Sequence, residues 1–212
     1  EHALAWKLCQ SSRLNRLYTA PGNAGTAALG TNLAVAADNI QLLAEVVLAN
    51  AIDLVVVGPE APLAGGIVDF FTEKGIPIFG PTQRAAALET SKAFSKDLMQ
   101  RHGIPCAKSK VFDSYKEARM YVETLSQVPV IKADGLAGGK GVTVANNMGE
   151  ALGALEDAMV NGIFGQAGRR VVVEERLTGI EASVIAFTDG ETVLSTVPAC
   201  DYKRALDGEL GP

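Results

Sequence analysis

The sequence predicts an α/β protein, a parallel-sheet domain followed by an α+β domain, and three observations carry that reading. Short β-branched runs alternate with helical periodicity through residue 81, the pattern of βαβ units. The periodicity changes from Ile104 onward, where strands and helices no longer alternate simply. A glycine-dense loop then stands between two β-branched runs, Pro129 to Asp134 and Gly141 to Ala145.

From the beginning, Ala3, Leu4 and Leu8 give a helical pattern. Asp38 is positioned to cap a helix bearing Ile40, Leu43 and Val47 on one face,. DLVVVGPE is the clearest strand: Leu54 to Val57 form a continuous apolar run, as burial on both faces would require, and Gly58-Pro59 stops it,. Leu63 to Lys74 reads as a helix ending at Gly75, and Ile76 to Pro81 as the next strand. Ligands of such sheets sit beyond the carboxyl ends of the strands, which draws attention to Gly58, Pro59 and Glu60. Residues 83–102 read as one long helix stopped by Gly103, and a domain boundary is expected near residue 88. A strand at Lys110 to Phe112, a helix over Ser114 to Thr124 and a helix capped by Asn147 with Leu152, Leu155 and Met159 follow. VVVEERLTG reads as a buried strand ending in a turn, and EASVIAF as one further strand.

Composition limits the function classes. The chain has 212 residues, 48% apolar and 20% charged, which suits a packed core,. Its net charge of −5 supplies no broad basic field for nucleic acid, so a bound anion must be met by local lysines and backbone amides,. Cys9, Cys106 and Cys200 are odd in number and lack metal-site spacing, pointing to reduced thiols, and the two histidines, His2 and His102, are isolated,. No apolar run reaches the roughly 18 residues of a membrane span.

The loop carries the chemistry. IKADGLAGGKGV, Ile131 to Val142, holds four glycines and two lysines. It is not a Walker A loop, because Asp134 stands where the first glycine belongs and Gly141 where Ser or Thr should follow Lys140,. It is not a dinucleotide fingerprint, because Gly139-x-Gly141 runs into Val144 on a strand,. A glycine hairpin between strands can lay its N–H groups over an oligophosphate without Cβ clashes. Lys132 would add a fixed ammonium and Lys140 a mobile one. VVVEERLTGIEAS carries Glu174, Glu175, Leu177 and Glu181 after an apolar strand, and such a strand end could present backbone groups to an adenine edge, Leu177 to its face and a later carboxylate to ribose. Lys92 could reach the same phosphates; taken alone, Lys92 and Lys96 read as a solvated helix face.

Together, EHALAWK, APGNAGTA, VVVGPEAPLAGGIVD, IFGPT, SKAFSKDLMQRHGIP, KADGLAGGKGV and VEERLTGIEAS resemble the glycinamide ribonucleotide synthetase (phosphoribosylamine–glycine ligase) family of the ATP-grasp superfamily. The resemblance implies a Rossmann-like, pre-ATP-grasp domain over residues 1–88 with its first strand missing. An incomplete ATP-grasp domain would follow over 89–212, with its small lobe at about 107–177. It implies the substrates glycine and 5-phosphoribosylamine, ATP with Mg2+ whose ligands are expected past Pro212, and de novo purine biosynthesis in the cytoplasm. It implies a monomer or dimer without nucleic-acid or membrane partners, and a stretch inactive by itself. Lys92 and Lys132 would serve the phosphates, with Gly135, Leu136, Gly138, Gly139, Lys140 and Gly141 as the lid. Glu174, Glu175 and Leu177 would line the adenine pocket and Glu181 would take the ribose. Glu60, Asp201, Lys203 and Arg204 would approach the other substrates. Two departures stand out: Cys200-Asp201-Tyr202-Lys203-Arg204 where the family reads Q-D-H-K-R, and Gly138 in place of a more usual alanine. The alternatives are another ATP-grasp ligase or carboxylase, or a non-catalytic nucleotide-binding piece.

Overall fold

The computed structural model describes residues 1–200 and Leu206. The chain divides into two compact units, Glu1–Glu175 and Arg176–Pro212.

The first unit begins with α1 (His2–Leu8), β1 (Tyr18–Thr19), α2 (Ala24–Ala27), β2 (Thr31–Asn32), α3 (Ile40–Ala49) and β3 (Val55–Val56). It continues through α4 (Glu60–Ala64), α5 (Ile67–Glu73) and β4 (Ile78–Phe79). β1 pairs parallel with β2, and β3 parallel with β4, so the βαβ expectation holds. α3 and α5 close over β3 and β4 through Ala44, Val47, Ile67, Val68, Phe71 and Ile76.

Local details differ from expectation for definable reasons. The α3 cap is Asn39, whose side chain accepts from Leu42 N, so Asp38 lies one residue outside,. The helix expected over 63–74 is two helices, because Gly65-Gly66 interrupts it and Gly66 adopts φ +83°, a left-handed conformation that glycine reaches freely,. The strand expected over 54–57 is not buried on both faces: β3 is half-buried and Leu54 is exposed, for β4 is its one hydrogen-bonded neighbour among the described residues.

The expected 83–102 helix is also two, α6 (Gln83–Thr90) and α7 (Lys92–Arg101). Ser91, extended at φ −130° and ψ 107°, ends the first and caps the second, its side chain accepting from Phe94 N,. The break makes Lys92 the first residue of a new helix.

Next come β5 (Ser109–Phe112), α8 (Tyr115–Glu123), β6 (Val130–Ala133), β7 (Val142–Val144), α9 (Met148–Met159), a 3₁₀ turn (Gly165–Arg169) and β8 (Val171–Glu174). The four strands form one antiparallel sheet in the order β5-β8-β6-β7. Ser114 and Asn147 cap α8 and α9 as their positions predict. Side chains alternate across a strand. Phe112, Ile131, Val171 and Val173 therefore face one way, into the core closed by Ala118, Val122, Ala151 and Leu155. Lys132 and Glu174 face the other way, on neighbouring inner strands.

The second unit contains β9 (Ala182–Ser183), β10 (Ala186–Thr188), β11 (Val193–Ser195) and β12 (Ala199–Cys200). β9 pairs with β12, and β10 with β11, both antiparallel. The single strand expected over EASVIAF is thus divided at Val184–Ile185, where the pairing partner changes.

Candidate functional site

The feature that organises the site is one buried carboxylate shared by two lysines. Glu174, 7% exposed, ends β8. Its register partners are Ser109 on β5 and Val130 on β6, and Lys132 lies two residues along β6 on the same face. Lys132 Nζ donates to Glu174 Oε1 at 2.7 Å. From α7, Lys96 Nζ stands 2.8 Å from Oε2. The Lys96 contact is close charge pairing whose angles fall outside those of a well-formed hydrogen bond. Burial pushes the Glu174 carboxyl upward, but the contacts and charges of Lys132 and Lys96 outweigh it and hold the group below its ordinary value,.

The second feature is the root of the hairpin. Asp134 leaves β6 with its N–H donating to Arg170 O at 2.9 Å. Its Oδ1 accepts from Ser91 Oγ at 3.1 Å and from Ala93 N at 2.9 Å. The carboxylate therefore satisfies an N–H in the first turn of α7, where the helix dipole favours negative charge. One residue on, Lys92 Nζ donates to Gly135 O at 3.2 Å. The break at Ser91 thus turns the start of α7 onto the base of the loop.

The loop itself is anchored at both ends and open at its tip. Ala133 N donates to Gly141 O at 2.7 Å, and Lys140 N to Ala137 O at 3.0 Å. Gly138 and Gly139 have φ +57° and +77°, and a Cβ on either would meet nothing within 4 Å. Conformation rather than crowding requires glycine there. At Gly141 crowding decides, since an added Cβ would lie 2.7 Å from Ala137 Cβ. Leu136 and Lys140 are exposed.

The structure thus brings Lys92, Lys132, Glu174 and the loop Gly135–Gly141 together within the first unit. It adds Lys96, Ser91 and Asp134, which the sequence reading did not assign to the site. Lys96 is not on a solvated face: its side chain is 15% exposed and tied to Glu174. The i, i+4 spacing of Lys92 and Lys96 was the available signal, since it sets both ammonium groups on one side of a helix. Glu175 follows at the end of β8. Its Oε1 accepts from Lys108 N at 2.7 Å, which ties the side chain to the segment just before β5. Glu60 begins α4 just past β3, exposed, and makes no hydrogen bond or ion pair with these lysines. Leu177 and Glu181 are exposed residues of the second unit. Asp201, Lys203 and Arg204 lie outside the described residues. Among the described residues no group of three or more His, Cys, Asp or Glu side chains could hold a metal.

Two ammonium groups on one buried carboxylate, with a third, Lys92, at the root of a glycine loop, place a donor set suited to a polyphosphate beside that loop.

Comparisons with known proteins agree in kind. Residues 1–89 match the family described as phosphoribosylglycinamide synthetase, N domain. Residues 90–212 match phosphoribosylglycinamide synthetase, ATP-grasp (A) domain. A phosphoribosylamine–glycine ligase of Allochromatium vinosum is 49% identical over 214 residues, covering all of this chain and 50% of that protein. A trifunctional purine biosynthetic protein of Gallus gallus is 51% identical over 215 residues, covering all of this chain and 21% of that protein. The crystal structure of a Thermotoga maritima phosphoribosylamine–glycine ligase superposes with a TM-score of 0.81 at 30% identity, over all of this chain and 50% of that one. The chain spans about half the length of the single-function curated relatives it matches. It belongs to the phosphoribosylglycinamide synthetase family, with the ATP-grasp fold.

Proposed function

We propose that this member of the phosphoribosylglycinamide synthetase family supplies the nucleotide-binding part of a carboxylate–amine ligase. The ligase joins glycine to 5-phosphoribosylamine and forms glycinamide ribonucleotide, ADP and phosphate in purine biosynthesis. The observation that carries this reading is that Lys132, held on the buried Glu174, and Lys92, held on Gly135 O, stand on the strand and the helix that border the Gly135–Gly141 hairpin.

A carboxylate is a poor electrophile at neutral pH. In the first step a glycine carboxylate oxygen attacks the γ-phosphorus of ATP, the bond to ADP breaks, and glycyl phosphate forms. In the second, the amine of phosphoribosylamine attacks the glycyl carbonyl, phosphate leaves, and the new amide nitrogen gives up a proton. Neither step needs a protein nucleophile, so the residues act by position and charge. Lys92 and Lys132 neutralise the transferring phosphoryl. The hairpin amides of Gly135, Leu136, Gly138, Gly139, Lys140 and Gly141 close over the triphosphate and keep water from the acyl phosphate.

Family resemblance assigns Glu174, Glu175 and Leu177 to the adenine and Glu181 to the ribose. Glu60, Asp201, Lys203 and Arg204 serve the remaining substrates. Family resemblance pairs the triphosphate with magnesium; among the described residues no group of three or more His, Cys, Asp or Glu side chains could hold it. The domains divide near residue 88, a division supported by the family-matched ranges 1–89 and 90–212. No described helix is long and apolar enough to cross a membrane; the reaction is assigned to the cytoplasm.

The test is ADP release by the intact protein. It should require glycine and phosphoribosylamine together, and hydroxylamine should trap glycine hydroxamate when ATP and glycine are both present. ADP release that runs on bicarbonate instead of glycine would overturn the assignment.

A further inference from the structure

Lys132 has two claims on its one ammonium group. The proposed site needs it on a polyphosphate, yet its Nζ is hydrogen-bonded to Glu174 Oε1 at 2.7 Å. Glu174 is buried, and a buried carboxylate left without a partner is strongly disfavoured. Lys132 could therefore be drawn to a ligand only if something else holds the carboxylate. Lys96 is placed to do so. It comes from a different element, α7, and reaches the other oxygen, Oε2, at 2.8 Å. Its ammonium also donates to Ala107 O at 3.4 Å, so it is held between the carboxylate and the segment preceding β5. One helical turn away, Lys92 points to the loop root at Gly135 O. α7 thus carries one lysine for the loop and a second for the carboxylate.

We propose that Lys96 is a positioning residue of the nucleotide site: it retains the Glu174 carboxylate when Lys132 turns to a polyphosphate, and so frees Lys132 for the ligand. Lys96 acts through Glu174 and Lys132 and is not itself a phosphate contact. The lowered Glu174 carboxyl agrees with this, because both lysines contribute to it. Without Lys96, Lys132 remains the sole partner of a buried charge and is withheld from the phosphates.

The inference rests on the nucleotide-site reading, and a double-mutant cycle separates the two. ATP and adenosine affinities are measured by calorimetry on the intact protein as wild type, Lys96→Met, Lys96→Arg, Lys132→Met and the double Met variant, with thermal midpoints recorded for each. The quantity read is the ratio of ATP to adenosine affinity, which a general loss of packing leaves unmoved. Lys96→Met should lower that ratio at least about tenfold, Lys96→Arg should restore most of it, and in the Lys132→Met background Lys96→Met should add nothing, since the two act as one unit. An unchanged ratio in Lys96→Met, with Lys132→Met impaired, overturns the role of Lys96 and leaves the site reading standing. Additive losses overturn it too, because they make Lys96 an independent phosphate contact. An ATP affinity untouched by Lys132→Met removes the site reading and this proposal with it.

Discussion

Replacing Glu174 by Gln tests how the site is held together. In the wild type the carboxylate is buried between Lys132 at 2.7 Å and Lys96 at 2.8 Å. Glutamine keeps the shape and one acceptor oxygen but leaves two ammonium groups facing each other without a countercharge. Removing one side of a buried ion pair costs about 3–5 kcal/mol. The lysines keep some solvent and the amide oxygen keeps one hydrogen bond, so we expect about 2–3 kcal/mol, at or just below the low end of that range. For a chain of this size that lowers the thermal midpoint by about 4–12 °C. The pH dependence gives a second check. The folded carboxyl lies below its ordinary value of 4.5. Its contribution is therefore present above the unfolded value and fades as pH falls through the folded one. Thermal midpoints of wild type and Glu174→Gln should differ fully at pH 7 and converge as the pH falls below 4.5, through the lowered folded value,. A difference under about 1 °C at pH 7, or one of equal width at both ends of that range, would refute the reasoning.

Other consequences follow from the same geometry. Ser91→Ala removes the α7 cap and should cost about 1 kcal/mol, read as a lower urea midpoint, with the KM for ATP raised because Lys92 stands on the next residue. Asp134→Ala strips acceptors from both Ser91 Oγ and Ala93 N; hydrogen bonds to a charged group bring about 1.5–3 kcal/mol each, and hydrogen exchange across 134–141 should accelerate. Gly138→Ala meets no neighbour but must hold φ +57°, costing about 1 kcal/mol; the thermal midpoint should move little, whereas Gly141→Ala, crowded against Ala137, should disturb the hairpin amides in NMR spectra. Leu155→Ala, fully buried between α8, α9 and the sheet, should cost about 2–5 kcal/mol by urea titration while leaving the ATP-to-adenosine affinity ratio intact.

What the sequence disclosed was mostly local. The glycine density of Gly135–Gly141 and its β-branched flanks announce a hairpin, because strand propensity and turn chemistry act within a few residues. Ser114 and Asn147 announce helix starts for the same reason. The break at Ser91 carries no glycine or proline. It depends on Asp134, brought from far along the chain to meet Ser91 and Ala93. Lys96 read as solvated because its partner Glu174 is remote in sequence, and only the β5-β8-β6-β7 order places that carboxylate beside both Lys96 and Lys132. The bond from Lys108 N to the Glu175 carboxylate was not legible, because the two residues are remote in sequence. The helix expected over 63–74 divides because Gly66 takes a left-handed φ of +83°, a choice that the apolar periodicity around it does not reveal.

The most direct test of the account is a crystal structure of the intact protein with a non-hydrolysable ATP analogue. Phosphate oxygens should lie within about 2.7–3.2 Å of Lys92 Nζ, Lys132 Nζ and amides of the 135–141 loop, with Glu174 still paired to Lys96. A triphosphate bound away from that loop, with Lys132 still on Glu174, would contradict it.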